Sequence, residues 1–292
     1  MADNFEAKVK QQIKRLDQSK YSTIETEVAN KRLTWFEQNY KNRPDGATPP
    51  SPRAAYELLF FEYMGLSEDE VPVLSETETK IVWSSINPCP TLAACNELGL
   101  DTRTVCRAAY EKSTQAFVSQ LDPQLRFYRS YQEIRPYAHH CREMIVRIDF
   151  KKMMRLAIEE AKLSRKTGNK GYGAVVVFGE QILGKAHDTA GTEKDPSLHA
   201  EVNAIRQAVK TVGDPNLSGA VLFSSCEPCP MCASLAVWAN LTTIVYGASI
   251  QETAQLGKAR ILVDSTEIVN KSPVMIEVIG NVLRDECMAL YQ

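Results

Sequence analysis

The sequence predicts a mainly helical domain over residues 1–148 and an α/β domain over residues 149–292, the second with helices on both faces of a mixed five-stranded sheet. Three observations predict it. The chain has 292 residues, long for one compact core and comfortable for two. Apolar residues recur at helical spacing through much of the first half. Past residue 149, short apolar runs alternate with helical patterns, the mark of a three-layer α-β-α arrangement. The boundary is expected between about Cys141 and Asp149.

In chain order, residues 5–40 read mainly as helix, with Val9, Ile13, Leu16, Ile24, Val28 and Leu33 set among charged residues. Residues 42–53 carry four prolines and a glycine and read as a loop. Residues 54–63 resume an apolar helical pattern. Residues 66–148 read as mostly helical, broken at Asn87-Pro88 and Asp122-Pro123, with no long alternating strand pattern.

Asp149 is placed to cap a helix whose Phe150, Met153, Met154, Ala157, Ile158 and Ala161 form one stripe. Residues 173–178 read as a buried strand, turned at Gly179-Glu180 into a second strand over 181–186, so this pair is an antiparallel hairpin. A helix over 199–212, a strand over 220–223, a largely apolar and therefore buried helix over 229–240 and a strand over 243–247 follow. A short helix over 252–258, a fifth strand over 274–278 and a closing helix over 282–291 complete the order. After the hairpin, the alternation predicts a largely parallel sheet.

Composition narrows the class. Hydrophobic residues make up 44% and charged residues 24%, ordinary for a soluble globular protein. The net charge of −2 gives no whole-surface attraction to nucleic acid or an anionic membrane. The opening segment is polar, without the apolar core of a signal peptide. No apolar run approaches the roughly 20 residues of a membrane-spanning helix. The expected location is the cytoplasm. The eight cysteines are then expected as thiols or metal ligands rather than disulfides, and Cys226, Cys229 and Cys232 crowd into seven residues.

Two short segments carry the chemistry: His199-Ala200-Glu201 and Pro228-Cys229-Pro230-Met231-Cys232, each opening an expected helix. A C-x-x-C pair at a helix start places both sulfurs on one metal, and the helix N-terminus favours thiolates. One imidazole nitrogen from His199 makes a third ligand and leaves the fourth tetrahedral position of zinc open, as catalytic sites require. Glu201, two residues on, is free to sit beside a zinc-activated water, take its proton and return it to a ring nitrogen and a leaving amine. The pattern H-x-E…P-C-x-x-C is the signature of the zinc deaminases, with the glutamate not a ligand.

The second half resembles the cytidine deaminase superfamily, in its guanine deaminase and tRNA adenosine deaminase branch. The residues that carry the resemblance are Tyr172 to Val177, Asp195 to Ile205, Ser225 to Cys232, Trp238-Ala239 and Val245 to Ala248, over about half the chain. It implies a cytidine deaminase-like fold, zinc held by His199, Cys229 and Cys232, Glu201 as proton carrier and Cys226 as a small buried residue. The run from Cys226 to Cys232 followed by Trp238-Ala239 looks more like bacterial guanine deaminase than the tRNA enzymes. Glu252 falls where that family faces an acidic residue to the base, and Tyr291 where a terminal aromatic closes the pocket. For both, an exposed carboxylate and a packing tyrosine are the plain alternatives. The expected substrate-binding set is Ala200, Asp188, His187, Glu252, Trp238 and Tyr291. Asp188 stands near where the family has an asparagine, and a carboxylate only accepts, so a different edge of the substrate is favoured, or a substrate with an extra donor such as an amino group or sugar hydroxyl.

The expectation is a zinc-dependent deaminase of a small amino-heterocycle, a base or nucleoside, purine and guanine-like by resemblance, working as a homodimer as the family does. The competing readings are a tRNA adenosine-to-inosine deaminase and a non-catalytic regulatory protein that keeps the fold. The −2 charge and the segment Arg284-Asp285-Glu286 argue against the first, and the presence of Glu201 against the second. Residues 1–148 carry no nameable motif and are expected to regulate, dimerise or cover the site. Cys89, Cys95, Cys106, His139, His140 and Cys141 fit no standard zinc spacing. Arg126, Arg129 and Arg135 among Phe127, Tyr128, Tyr131 and Tyr137 suit a packed amphipathic surface better than base stacking.

Overall fold

A computed structural model describes residues 2–41, 49–272, 274 and 276–292. The chain divides into two compact units, Met1–Ile148 and Asp149–Gln292.

The first unit contains α1 (Ala2–Gln18), α2 (Tyr21–Asn39) and α3 (Pro52–Glu57), the last continued by a π-helical turn over Leu58–Tyr63. Then come β1 (Val73–Thr77), β2 (Lys80–Ser85), α4 (Pro90–Leu98), α5 (Thr102–Cys106), α6 (Lys112–Leu121), β3 (Leu125–Arg129) and β4 (Cys141–Arg147). Helix dominates, as expected, but residues 66–148 are not mostly helical. They supply all four strands of an antiparallel sheet ordered β1-β2-β4-β3. The strands escape the sequence pattern because charged residues point inward: Arg126 and Glu143 are both buried, 1% and 4% exposed. Glu143 accepts from Trp83 Nε1 at 3.1 Å, Ser85 Oγ at 2.6 Å and Arg129 Nε at 2.7 Å, so the interior charge is paired. The arginines of 126–135 therefore serve this unit's own interior and turns; Arg135 donates to the Asn87 carbonyl at 2.8 Å. Of the expected loop, residues 42–48 lie outside the described residues, and Pro52-Arg53 already open α3.

The second unit runs α7 (Phe150–Lys166), β5 (Gly173–Phe178), β6 (Gln181–His187), α8 (Ala190–Glu193), α9 (Ala200–Val212), β7 (Val221–Cys226) and α10 (Pro230–Trp238). It continues with β8 (Thr243–Ala248), α11 (Ile250–Gln255), α12 (Ser265–Asn270), β9 (Glu277–Ile279) and α13 (Arg284–Met288). Asp149 caps α7, its carboxylate accepting from Lys152 N at 2.9 Å. The sheet order is β6-β5-β7-β8-β9. β5 is antiparallel to both β6 and β7, while β7, β8 and β9 are parallel, so the sheet is mixed, as expected, with the expected parallel run confined to its last three strands. The expected strand over 274–278 begins instead at Glu277; Met275 within it lies outside the described residues.

Alternate residues of the strands face opposite layers. Ala174, Val176, Leu222 and Ile244 form one core with Ala200, Ala204 and Ala208 of α9 and Ala236 and Val237 of α10. On the other face Phe223 meets Phe150 of α7, ring centroids 5.3 Å apart. Two strand glycines let helices close in. A Cβ at Gly173 would lie 2.1 Å from the Ala157 carbonyl, and one at Gly184 2.2 Å from that of Ala204. The domain is thus three-layered, with α9 and α10 on one side of the sheet and α7 on the other.

Candidate metal centre

Two helix starts build the site. His199 is the residue before α9, in extended backbone, and its side chain makes no capping bond. Its approach is pinned by Asn203, whose amide donates to the carbonyl of His187 at 2.9 Å and of Leu198 at 3.3 Å. Cys229 holds the same place before α10, with Pro230 at the first helical position and Cys232 one turn on. Cys229 Sγ and Cys232 Sγ each lie 3.6 Å from His199 Nδ1, and the sulfurs are 3.7 Å apart.

These separations test the fit to a metal. Zinc bonds of about 2.3 Å to sulfur and about 2.05 Å to nitrogen, at tetrahedral angles, require edges of about 3.8 Å between sulfurs and about 3.6 Å from sulfur to nitrogen. The observed triangle has those edges, and its soft thiolate and imidazole donors suit zinc. Among the described residues, it is the one group of three or more His, Cys, Asp or Glu side chains that could hold a metal ion. Cys89, Cys95, Cys106 and Cys141 are free and form no such cluster. Within the triangle, hydrogen bonds that the Cys229 sulfur accepts from Cys232 and from His199 pull its thiol down to about 4, and the contact between the two sulfurs pushes Cys232 up.

Glu201 sits against the triangle, 6% exposed. One carboxylate oxygen accepts from Ser224 Oγ at 3.2 Å and the other from Cys232 Sγ at 3.6 Å. Burial, with Cys229 alongside, raises its pKa. A cleft opens here, lined by Tyr172, His199, Glu201, Cys226, Glu227, Cys229 and Arg260.

The other expected site residues fare differently. Asp188 is 1% exposed; one oxygen accepts from Ala190 N at 3.2 Å and Oδ2 has no partner. Ala200 is fully buried in the sheet core. His187 turns away: its Nδ1 lies 2.9 Å from Glu160 in a separate cleft with Lys185, Arg206 and Lys210. Glu252 closes a capping box on Ser249 and pairs with Arg284 Nε at 2.5 Å, so it does not line the metal cleft. Trp238 lies at the far end of α10, about 13 Å along the helix from Cys229, and is 75% exposed. Tyr291 stands one layer behind the cleft, its ring stacked on Tyr172 and its hydroxyl 2.9 Å from Ser225 Oγ.

Sequence reasoning missed Arg260, Ser224 and Glu227. The buried Glu227 ties two chain segments together, accepting from Ile250 N at 3.0 Å and Ser265 N at 2.9 Å. Arg260 carries no local signal: it lies in irregular chain after Gly257 and reaches the cleft only through the fold.

Comparison with known proteins supplies the remaining findings. Residues 147–248 match the family model described as the cytidine and deoxycytidylate deaminase zinc-binding region. The tRNA-specific adenosine deaminase of Bacillus subtilis is 34% identical over 134 residues, 46% of this chain and 81% of the relative. The guanine deaminase of the same organism is 40% identical over 86 residues, 30% of this chain and 55% of the relative. A solved tRNA A34 deaminase is 24% identical, with a TM-score of 0.43 over 48% of this chain and 98% of that one. No helix among the described residues is long and apolar enough to cross a membrane.

Proposed function

The chain belongs to the cytidine and deoxycytidylate deaminase zinc-binding family, and from that premise we propose that its second unit hydrolytically deaminates an amino-purine base or nucleoside, guanine-like in class. The observation that carries the proposal is the triangle of His199, Cys229 and Cys232 with the Glu201 carboxylate against it. In this reading those three residues hold zinc. Bound there, zinc supplies the Lewis acidity that brings a water molecule's pKa close to neutrality.

Glu201 carries the proton. Its burial against Ser224 holds the carboxyl in one place, and its raised pKa suits a group that takes a proton from water and hands it to the substrate. Water adds to the ring carbon bearing the amino group, the ring nitrogen gains a proton, the C–N bond breaks and ammonia leaves. Tyr172 lines the cleft, its ring stacked on Tyr291 and covered by the Arg260 guanidinium. Asp188 does not line the cleft, but it keeps one buried carboxylate oxygen without a partner, and in this reading that oxygen accepts from a donor on the substrate.

A second reading has support of its own. The tRNA-specific relative matches over 81% of its length, which makes adenosine in tRNA the competing substrate. The net charge of −2 weighs for the small heterocycle, because a tRNA substrate calls for a basic surface. An ammonia-release screen with zinc-loaded protein over purine bases, nucleosides and tRNA decides between them. Release from an amino-purine base or nucleoside supports the proposal, release from tRNA alone replaces it with the second reading, and no release from either refutes both.

A further inference from the structure

Arg260 presents a charge in search of a partner. The residue is partly buried and lines the cleft with Glu201, His199 and Cys229. Its guanidinium carbon lies 4.8 Å over the Tyr172 ring. Nε donates to Thr253 Oγ1 at 3.0 Å, and Nη2 donates to the Tyr172 hydroxyl and reaches Cys226 Sγ at 3.8 Å. Nη1 has one long contact, 3.4 Å to the Ala259 carbonyl. Every one of these partners is formally neutral, and among the described residues no carboxylate forms an ion pair with Arg260. Of the two acidic residues lining the cleft, Glu227 is engaged by Ile250 and Ser265 and Glu201 by Ser224 and Cys232. Leaving a guanidinium partly desolvated without a counter-charge is costly unless a ligand completes it.

We propose that Arg260 is the specificity-determining residue of this cleft, and that it selects a heterocycle carrying an oxo acceptor on the edge remote from the reacting amino group. This rests on the deaminase reading of the site given above. The guanidinium is held at Nε and Nη2, which leaves Nη1, with its one long contact, the least engaged of its nitrogens. Planar guanidinium donors pair with adjacent oxo and ring-nitrogen acceptors, as on the O6/N7 edge of guanine. A purine whose 2-amino group is at the reacting position directs that edge away from it. A purine without the oxo group displaces water from the charged donor and leaves it unpaired, and buried donors left unpaired are what make such sites reject an analogue. The positioning of Arg260 is itself layered: Tyr291 stacks on Tyr172, and Tyr172 carries Arg260.

The test compares guanine with 2-aminopurine, which keeps the reacting 2-amino group but lacks the oxo group and, with it, the N1 hydrogen; only the part of the preference that Arg260→Met removes is assigned to the oxo contact. Zinc-loaded wild type and Arg260→Met, matched for zinc content, are assayed for kcat/KM on both. Dissociation constants are measured for the two products, xanthine and 2-hydroxypurine. Wild type is expected to prefer guanine by tenfold or more, and Arg260→Met to reduce that preference at least tenfold, with xanthine binding weakened in parallel. Arg260→Lys, which keeps the charge, is expected to recover part of the preference. A wild type that deaminates guanine with its preference unchanged in Arg260→Met overturns this role for Arg260 and leaves the deaminase reading standing. Failure of the zinc-loaded wild type on both bases overturns the purine-base reading, and this inference with it. A variant that loses both substrates equally marks Arg260 as structural and also overturns the inference.

Discussion

Tyr172 and Tyr291 stack with ring centroids 5.3 Å apart and planes 29° from parallel, which joins the penultimate residue of the chain to the wall of the metal cleft. The Tyr291 hydroxyl, 2.9 Å from Ser225 Oγ, fixes the outer ring from behind. Removing only that hydroxyl, in Tyr291→Phe, is expected to cost about 1 kcal/mol of stability, read as a shift in Tm. Removing the ring, in Tyr291→Ala, is expected to cost roughly 3–5 kcal/mol and, if the variant folds, to raise KM more than it lowers kcat. An unchanged KM in a folded Tyr291→Ala would show that the stack does not support the cleft.

The second unit depends on the close approach of α7 to β5. A Cβ at position 173 would meet the Ala157 carbonyl at 2.1 Å and the Ala161 amide at 2.4 Å, and neither backbone atom can move alone. Gly173→Ala is expected to destabilise by about 3 kcal/mol or more, measured by denaturant unfolding. A change under about 0.5 kcal/mol would contradict the packing.

In the first unit, Glu143 is the shared acceptor of Trp83, Ser85 and Arg129. Glu143→Ala leaves the guanidinium and the indole N–H without it. The expected loss is about 3–5 kcal/mol, measured by denaturant unfolding followed at the tryptophans, and a loss under about 1 kcal/mol would show that solvent replaces the carboxylate.

Glu25, on α2, is 7% exposed with Oε1 unpartnered, and burial raises its pKa despite the neighbouring Lys112. A carboxyl whose pKa rises on folding adds stability while protonated and loses it as pH climbs from its unfolded value through its folded one. Glu25→Gln should therefore raise Tm by about 2–5 °C at pH 7.5, with the gain fading below about pH 4.5. A gain independent of pH would contradict this.

The metal triangle was legible in the sequence because each half is local. His199 and Glu201 lie within two residues at one helix start, and Cys229 and Cys232 within one turn of another, so the spacing alone brings their side chains together. The hairpin at Gly179-Glu180 and the cap at Asp149 were legible for the same reason. What the sequence hid is what the fold assembles over distance. Arg260 enters the cleft from an irregular segment, and His187, at the end of β6, faces Glu160 in a separate cleft. Trp238 belongs to the site's helix but to its other end. The sheet of the first unit was hidden by its own inward charges, which break the alternation that marks a strand.

Metal removal probes the triangle without mutation. The protein should carry about one zinc per chain, and chelation should lower Tm, because an ion that binds only the folded state stabilises it. Zinc should restore the Tm and magnesium should not, given the sulfur and imidazole donors. An unchanged Tm on complete metal removal would contradict the assignment.

The most direct measurement is zinc content and ammonia release in Glu201→Gln beside wild type. The substitution keeps the shape of the side chain and leaves His199, Cys229 and Cys232 untouched. The predicted result is full zinc occupancy with turnover reduced by about 10²–10⁴-fold. Zinc-loaded Glu201→Gln that releases ammonia at the wild-type rate would contradict the account.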